Sequence, residues 1–338
     1  MLRSQNLKER RFFVNNIKPD IVYRIHKAYS VWKTYKRQDA MNGNHKVRFY
    51  NWWGGNYEQM WLYRFAENTG ILNGAKRNLN ICSVFGSREI LRYVSGGAKI
   101  FFSGENLHLP NHIAYKDALL EDKDCKLSIG FEKNNDERSI RFPLWLTYVF
   151  EPNLDEKRIR ECCEQLRYPI IGERNKFSCL ISKADISGIR TEMFRNLNKY
   201  GSIDCPSVLF HNDDSLKEQF EDNKVKYMRQ YHFNICPENS NAYGYCTEKV
   251  FEAIAAGCIP IYWGDNNRPE PHILNHKAII FWDQKSNGVD ACMQIRELYK
   301  DLDKLKVFCA QPRLLPNAED EIIGMLYQLH KRLKVLVC

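Results

Sequence analysis

The spacing of apolar residues changes twice around residue 250. Apolar and polar residues alternate over residues 231–235, which is the period of a β-strand, and Pro237 ends the alternation. From Glu248 the apolar residues recur at helical spacing until Gly257, and an apolar run over residues 258–263 follows. This order of strand, polar loop, helix and strand predicts one βαβ unit.

Similar short apolar runs, bounded by glycine, proline or polar residues, recur along the rest of the chain. They predict further strands over residues 47–53, 79–85, 98–102, 177–181 and 278–282. Helical spacing predicts helices over residues 17–35, 154–166 and 189–200. Strands that alternate with helices are typical of an α/β fold, and 338 residues are too many for one ordinary core. We therefore expect two domains.

The formal net charge of +9 comes from the start of the chain. Residues 1–48 contain twelve Lys or Arg and three Asp or Glu, so the remaining 290 residues carry no net charge. The predicted helix over residues 17–35 is basic and amphipathic, with Ile21, Ile25 and Trp32 on its apolar face. That face suits either packing on the first domain or binding to an anionic membrane leaflet. A nucleic-acid-binding module that works through this arm is a third hypothesis.

Polar residues of the βαβ unit lie where one element changes into the next. They are Glu238, Asn239, Tyr245, Glu248 and Lys249. In open α/β sheets, ligands bind beyond the carboxyl ends of the strands, near helix N-termini that favour anions. A lysine in the first turn of a helix opposes the helix dipole, so Lys249 indicates a negative group in front of it. We interpret that group as a phosphate.

Three residues outside this set are also placed at element ends. Glu105 follows the predicted strand over residues 98–102, where an α/β domain exposes its site. In a partly dry cleft such a carboxylate can accept a proton from a hydroxyl. Arg190 lies in the first turn of the helix over residues 189–200 and again requires a nearby anion. Thr247 is the predicted N-cap of the helix in the βαβ unit.

The stretch PENSNAYGYCTEKVFEAIAAGCIPIYWG resembles the signature of the α1,3-fucosyltransferases, inverting sugar transferases built from two Rossmann-like domains in the GT-B architecture. Two other segments, AKIFFSGEN and SGIRTEMFRNLNKYG, are similar to further elements of that family. The resemblance extends unevenly from about residue 47 to about residue 283. It implies an α/β fold in which the two domains face each other across a cleft.

The resemblance also implies a role for each candidate residue. Glu105 matches the general base of the family, and Arg190 matches the arginine that grips the donor diphosphate. Lys249 would bind phosphate beside Arg190, and Glu248, an acceptor of hydrogen bonds only, suits the ribose hydroxyls. The other candidates would shape the nucleotide and fucose pocket, namely Glu238, Asn239 and Tyr245.

The implied reaction transfers L-fucose from GDP-fucose to a hydroxyl of an N-acetylglucosamine-containing glycan, through an α1,3 linkage and with inversion. No cofactor or metal is expected to be required, and stimulation by Mn²⁺ is left open. The expected partners are GDP-fucose, an acceptor similar to N-acetyllactosamine and a peripheral anionic membrane surface, but no nucleic acid. The alternatives are a GT-B transferase that uses another nucleotide sugar and a lectin-like protein without catalysis.

The sequence predicts four parts. They are a basic arm over residues 1–45, an acceptor-binding domain over 46–168, a donor-binding domain over 169–310 and a helical tail over 311–338. Twelve cysteines without a CxxC pair are typical of reduced thiols. No apolar run reaches the length of a membrane span or resembles a signal peptide. Animal members of the family that the chain resembles are Golgi proteins with an N-terminal span, so the resemblance implies a cytoplasmic bacterial or viral enzyme, peripheral on the inner membrane face, or an engineered fragment.

Overall fold

Two parallel five-stranded sheets form the framework of the chain. A computed structural model describes residues 19–338, so the first two residues of the predicted helix over residues 17–35 lie outside the described part. The first sheet has the strand order β1-β2-β3-β4-β5, which follows the chain. Its strands are β1 Val47–Tyr50, β2 Asn78–Cys82, β3 Gly97–Phe102, β4 Cys125–Gly130 and β5 Ser139–Arg141.

The second sheet has the order β10-β9-β8-β6-β7, and all of its pairs are parallel. Its strands are β6 Lys176–Cys179, β7 Ile203–Asp204, β8 Tyr231–Ile235, β9 Ile259–Tyr262 and β10 Ile280–Phe281. The chain adds β7 on one side of β6 and then crosses to place β8 on the other side. The strand order therefore reverses between β6 and β8, and such a point leaves a crevice at the carboxyl ends of the strands.

Helices connect the strands and cover the sheets. Those that precede β6 are α1 Pro19–Asn42, α2 Trp61–Asn68, α3 Leu146–Val149 and α4 Glu156–Arg167. Those that follow it are α5 Ile189–Leu197, α6 Ser215–Glu218, α7 Lys224–Met228, α8 Glu248–Ala255, α9 Val289–Lys300, α10 Leu302–Cys309 and α11 Ala318–Val337. Two parallel sheets flanked by α-helices confirm the predicted α/β class.

Helix α1 continues past the predicted end at residue 35 because its last turns pack on the first sheet. The Asn42 side chain donates to the Phe49 carbonyl at 2.9 Å and accepts from the Phe49 amide at 2.7 Å. An earlier turn also contacts the first domain, through the ion pair of Lys27 with Glu89 at 2.8 Å, but Ile21, Ile25 and Trp32 remain 46%, 57% and 42% exposed. Packing on the first domain therefore stabilises the last turns of α1 and leaves the apolar face of its earlier turns exposed to solvent.

Strand β1 is shorter than the predicted strand over residues 47–53. Asn51 has a φ of +51°, a left-handed conformation that a strand cannot continue through. The two tryptophans that follow, Trp52 and Trp53, leave the sheet and stack on each other with ring centroids 4.3 Å apart. They lie half-buried above the carboxyl ends of β1 and β3.

The two sheets are joined by contacts between their flanking segments. Trp145 stacks on Phe251 of α8 with ring centroids 4.1 Å apart. The Trp145 indole and the Arg141 guanidinium both donate to the buried Glu270 carboxylate, at 2.8 and 2.6 Å. Helix α11 returns to the first half of the chain, where the Lys76 amide donates to the Val337 carbonyl at 2.8 Å. The four predicted parts of the chain stay a prediction.

Four further observations bear on the kind of protein this is. Asp301 and Asp303 have the spacing of a metal-binding DxD motif, but Asp301 caps α10 by accepting from the Asp303 and Lys304 amides. Within residues 19–338 no group of three His, Cys, Asp or Glu side chains could hold a metal ion. In the same described part, every helix is too short or too polar to cross a bilayer. The cysteine side chains are all unpaired.

Candidate active site

A cavity of about 260 Å³ opens where the strand order of the second sheet reverses. The segments after β6 and β8 form its floor, and the first turns of α5 and α8 form its walls. The predicted site residues that line it are Arg190, Asn239, Glu248 and Lys249. This is the position at which a doubly wound sheet binds its ligand. The structure therefore brings together four of the six predicted donor-binding residues around one cavity.

Glu238 lies beneath this cavity rather than in its lining, and it is fully buried. Its carboxylate accepts hydrogen bonds from the Thr247 amide at 2.7 Å and from the Thr247 hydroxyl at 2.6 Å. The Tyr262 hydroxyl and the Lys249 ammonium donate to it at 3.3 Å. Burial raises the pKa of Glu238, and the Lys249 charge opposes that shift. Glu238 thus fixes the start of α8 from below.

The predicted N-cap of α8 is only partly correct. Thr247 has the extended backbone of an N-cap, but its side chain makes no hydrogen bond to the first turn of the helix. The Thr247 hydroxyl donates to Glu238 instead. A buried carboxylate at the N-terminus of a helix also interacts favourably with the helix dipole. Glu238 therefore takes over part of the role that the sequence assigns to Thr247.

Lys249 has carboxylate partners that its position in the sequence does not reveal. Its ammonium lies 3.3 Å from both the Glu238 and the Glu248 carboxylates and 2.7 Å from the Thr247 hydroxyl. Burial alone would lower the pKa of Lys249, but the two carboxylates raise it, so the side chain is charged. These carboxylates already balance the lysine at the helix N-terminus. The inference that Lys249 requires a phosphate was therefore too strong.

Arg190 lies on the opposite wall and is only 3% exposed. Its guanidinium donates to the Ala184 and Pro237 carbonyls at 3.0 and 3.2 Å and to the Asn239 side chain at 2.9 Å. It forms no ion pair with any residue in the described range 19–338. Burial lowers the pKa of Arg190, although arginine stays charged. A buried guanidinium that is held by neutral acceptors is ready to bind an anion.

Tyr245 lies at the boundary between the two halves of the chain and is 2% exposed. Its ring packs edge-on against Phe131 of the first half, with centroids 5.1 Å apart. The preceding Gly244 has a φ of +79°, and its amide donates to the Asp265 carboxylate. Burial raises the pKa of Tyr245. Tyr245 therefore supports the cavity from the inter-domain side and, like Glu238, does not line it.

Glu105 follows β3 at the carboxyl edge of the first sheet. Its amide donates to the Ser103 hydroxyl oxygen at 3.0 Å, which fixes the turn after the strand. Gly104 is required in this turn because a Cβ atom there would lie 2.6 Å from the Leu144 side chain. The Glu105 carboxylate is partly exposed and forms no hydrogen bond or ion pair with residues 19–338. It is free to accept a hydrogen bond from a ligand.

The Glu105 carboxylate and the donor-side cavity face each other across the space between the two sheets. Besides burial, the charges of Glu105 and Glu248 both raise the pKa of Tyr245 and the pKa of Tyr148. The Asn106 side chain, next to Glu105, donates to the Ser240 hydroxyl at 3.0 Å and so bridges the two halves directly. A group bound between Glu105 and the cavity would meet the Glu105 carboxylate on one side and Arg190 with the Lys249–Glu248 ion pair on the other.

Family comparisons agree with this geometry. Residues 47–148 match the family described as alpha-(1,3)-fucosyltransferase FucT N-terminal domain. Residues 172–309 match glycosyltransferase family 10 (fucosyltransferase) C-term, so the two matches together cover most of the chain. The chain belongs to the fucosyltransferase family. The first matched range contains Glu105, and the second contains all six donor-binding candidates.

One curated relative and two solved structures illustrate the similarity. The chain is 24% identical over 250 residues to alpha-(1,3)-fucosyltransferase FucT of Helicobacter pylori; this match covers 65% of the chain and 50% of that relative. The chain thus spans about half the length of this relative. A crystal structure of an alpha1,3-fucosyltransferase aligns with a TM-score of 0.54 at 21% identity, covering 84% of this chain and 89% of that one.

A crystal structure of alpha1,3-fucosyltransferase with GDP-fucose aligns with a TM-score of 0.51 at 18% identity, over 84% of this chain and 90% of that chain. At such low identities these likenesses establish the fold, which is the GT-B fold that the sequence predicts.

The sequence analysis does not predict two buried acidic residues of the site. Asp265 holds the Gly244 amide, and Glu270 receives Arg141 and Trp145 from the first half of the chain. Burial raises the pKa of Asp265 to about 7. Asp265 lies just beyond β9, so the rule that selected Glu105 could have found it. Glu270 lies in a proline-rich loop, and no sequence pattern marks it.

Proposed function

We propose that the chain is an α1,3-fucosyltransferase that moves L-fucose from GDP-fucose to a hydroxyl of an N-acetylglucosamine-containing glycan, with inversion at the anomeric carbon. The observation that carries the proposal is the free carboxylate of Glu105 opposite a cation-lined cavity at the switch point of the second sheet. Family membership supports the choice of fucose and of a guanine nucleotide. One direct displacement across the cleft inverts the configuration, because no covalent intermediate forms.

Glu105 acts as the general base in this proposal. As the acceptor hydroxyl attacks the anomeric carbon of fucose, its proton moves to the Glu105 carboxylate and the bond to GDP breaks. A general base in position is worth typically 10²–10⁴-fold in rate. The lack of internal partners for the Glu105 carboxylate among residues 19–338 leaves it available for this hydrogen bond. The two domains supply proximity by holding acceptor and donor on either side of one cleft.

The donor-side residues divide into those that would contact GDP-fucose and those that support them. Arg190 and Lys249 neutralise the charge that grows on GDP as it leaves, and Arg190 can grip two phosphate oxygens at once. Glu248, which lines the cavity, accepts hydrogen bonds from the ribose hydroxyls. The others keep these groups in place, namely Asn239 beside Arg190, Glu238 beneath Lys249 and Tyr245 against Phe131.

The positive charge supplied by Arg190 and Lys249 leads us to expect turnover without added metal. Activity that survives a chelator would support this expectation, and activity that disappears with the chelator and returns with Mn²⁺ would contradict it. The within-family alternative, another nucleotide sugar, is tested in the same assay by GDP-mannose and UDP-sugars. Neither alternative alters the roles proposed for the two cations.

We also propose that α1 places the enzyme on the anionic cytoplasmic face of a membrane. Ile21, Ile25 and Trp32 form an exposed apolar face, and Tyr29 stacks beside Trp32 with centroids 6.0 Å apart. Basic residues flank this face, and each one near an anionic leaflet adds about 1 kcal/mol of binding free energy. Vesicles of phosphatidylglycerol should retain the protein at low salt, and Trp32→Ala together with Ile25→Ser should release it. Equal retention on phosphatidylcholine would contradict this proposal.

The deciding experiment for the catalytic proposal titrates the protein with GDP-fucose, GDP-mannose and GDP and then follows release of GDP after N-acetyllactosamine is added. We expect GDP-fucose to bind, GDP release to require acceptor, Glu105→Gln to bind donor without turnover, and Lys249→Ala to bind donor weakly. A protein that binds glycan but gives no turnover, with or without Glu105, would be lectin-like. Failure to bind any guanine nucleotide would remove the donor assignment.

A further inference from the structure

A cleft of about 300 Å³ lies in the first half of the chain, and we call it the aromatic groove. Its aromatic lining consists of Trp52, Trp53, Trp61, Phe102 and Tyr148. Phe102 is buried, whereas the other four rings are at least partly exposed, and clustered exposed apolar side chains usually mark binding sites. The size is at the lower end of the 300–1,000 Å³ range, roughly, of ligand pockets.

The aromatic groove adjoins the loop that presents Glu105. Phe102 is the last residue of β3, three residues before Glu105, and its ring lies 5.4 Å from that of Trp52. Leu144, another residue of the groove, is the side chain that packs against Gly104. At the other end, Tyr148 lies in the field of both Glu105 and Glu248. The groove therefore leads to the space between the general base and the donor cavity.

The rings of the groove are arranged so that a ligand can reach their faces. Trp52 and Trp53 stack nearly parallel, at 13°, and both are half-buried. Tyr148 is 57% exposed. Exposed Gln59 and Arg64 stand at the rim, where their side chains can donate hydrogen bonds. This combination of ring faces with a few polar donors is typical of a site for a ligand that is both apolar and hydroxylated.

The Trp52 indole provides an independent sign of a missing ligand group. Its Nε1 atom is buried and has no hydrogen-bond partner among residues 19–338. By contrast, Trp61 in the same groove donates its Nε1–H to the Phe150 carbonyl at 2.7 Å. A buried donor without an acceptor costs about 1–3 kcal/mol, so such groups usually have a functional reason. A small movement of the half-buried Trp52 ring on binding would let a hydroxyl of a ligand in the groove accept this hydrogen bond.

We infer that the aromatic groove binds the sugar residues of the acceptor that lie beyond the reacting one. The inference rests on the proposed function, since it names where the acceptor of that reaction lies. The axial C–H groups of a pyranose carry partial positive charge and stack on the negative face of an aromatic ring. The ring hydroxyls then reach the Trp52 indole and the polar rim. The occupant is thus an uncharged oligosaccharide chain and not an acidic or purely aliphatic ligand.

Three variants of the full-length protein test the groove. Trp53→Ala and Tyr148→Ala each remove one ring face, whereas Trp52→Phe keeps the ring and removes only the N–H donor. Tyr327→Ala is the matched control, because Tyr327 is a 44% exposed aromatic residue on α11, outside the groove. With GDP-fucose and N-acetyllactosamine, KM for the acceptor should rise roughly ten- to hundredfold in the first two variants and about two- to tenfold in Trp52→Phe. The control should match the wild type.

Different experimental results would contradict the groove proposal and the proposed function. GDP-fucose affinity of Trp53→Ala should equal that of the wild type, and kcat should change less than about threefold. Acceptor titration of Glu105→Gln should change the tryptophan fluorescence, and adding Trp53→Ala should move the midpoint of that change to a roughly ten- to hundredfold higher acceptor concentration. An acceptor KM that stays constant in both ring variants, or a midpoint that does not move, overturns the groove. A wild-type protein that does not bind GDP-fucose overturns the proposed function, while the fluorescence titration still tests the groove.

Discussion

The Glu238 carboxylate lies 3.3 Å from the Lys249 ammonium, and Glu238 is fully buried. Removing one partner from a buried ion pair leaves the other charge in a medium that solvates it poorly. In this site Glu248 remains as a second partner of Lys249, which reduces the loss. A substitution of Glu238 should therefore change both the stability of the second sheet and the charge of the cavity wall, which Lys249 lines.

We predict that Glu238→Gln lowers the free energy of unfolding by about 1–3 kcal/mol, because Lys249 and Thr247 both lose a charged acceptor. Affinity for GDP should fall as well, since the start of α8 is no longer fixed. Urea unfolding and GDP titration measure the two effects. Glu161→Gln is the control, because its ion pair with Lys157 is exposed at 3.9 Å, and it should behave as the wild type. Unchanged stability of Glu238→Gln would contradict the role assigned to this carboxylate.

A second prediction concerns the pH dependence that Asp265 introduces. Burial raises its pKa from 3.8 to about 7, so between these values the native protein keeps a proton that the unfolded chain has lost. The free energy of unfolding should therefore fall as the pH rises from about 4 to about 7. Asp265→Asn removes this contribution, so the variant should gain stability relative to the wild type as the pH rises, by about 1–3 kcal/mol once solvent screening is allowed for.

Urea unfolding of wild type and Asp265→Asn at pH 5 and pH 8 measures this difference. Asp303→Asn is a suitable control because the Asp303 side chain is 94% exposed. Its difference from the wild type should show no comparable dependence on pH. If the stability difference of Asp265→Asn is the same at both pH values, Asp265 is already ionised at pH 5 and the prediction is wrong.

The strand ends could be predicted from the sequence because they depend on local patterns. Glu105 and Arg190 are predicted from their positions, at the end of an apolar run and at the start of a helical one, and from the resemblance of the segments around them to the fucosyltransferase family. The structure puts both at the carboxyl edges of their sheets, on opposite sides of one space. Hydrophobic period and the rule for parallel sheets are sufficient for this level of detail.

The partners of those residues could not be predicted, because they depend on how loops fold over one another. Lys249 looked like a cation in need of an anion, yet Glu238, eleven residues earlier, reaches it only after the intervening loop folds back. Glu270 meets Arg141 from a distant part of the chain. The Trp52 indole has no partner at all in the described range 19–338, a fact that only coordinates reveal. Charge balance in a site is thus a tertiary property.

A third prediction uses the close approach of Gly264 to Glu238. A Cβ atom at Gly264 would lie 2.6 Å from the Glu238 Cγ, and the φ of +138° is itself unfavourable for other residues. Gly264→Ala should therefore destabilise the protein by more than about 2 kcal/mol and weaken GDP binding. Gly324→Ala should do the opposite, because Gly324 lies inside α11 with open space around it, and should stabilise by about 0.5–1 kcal/mol. Thermal unfolding distinguishes the two signs, and a stable Gly264→Ala would refute the argument.

The last prediction concerns the contact between the two halves. Glu270 is 3% exposed and receives the Arg141 guanidinium at 2.6 Å and the Trp145 indole at 2.8 Å. Arg141→Gln leaves a buried carboxylate with one neutral donor, whereas Arg141→Gln together with Glu270→Gln removes both charges. We expect the single variants to lose about 2–4 kcal/mol of unfolding free energy each and the double variant to lose less than their sum.

A double-mutant cycle in urea should thus give a coupling free energy of about 1–3 kcal/mol between Arg141 and Glu270. Arg160 and Asp320 provide the control cycle, because they also join distant parts of the chain at 2.9 Å but are 48% and 67% exposed. Their coupling should be below about 1 kcal/mol, since solvent screens exposed pairs. If both cycles give the same coupling, burial does not strengthen the inter-domain pair. In that case the stacking of Trp145 on Phe251, rather than the ion pair, would join the two halves.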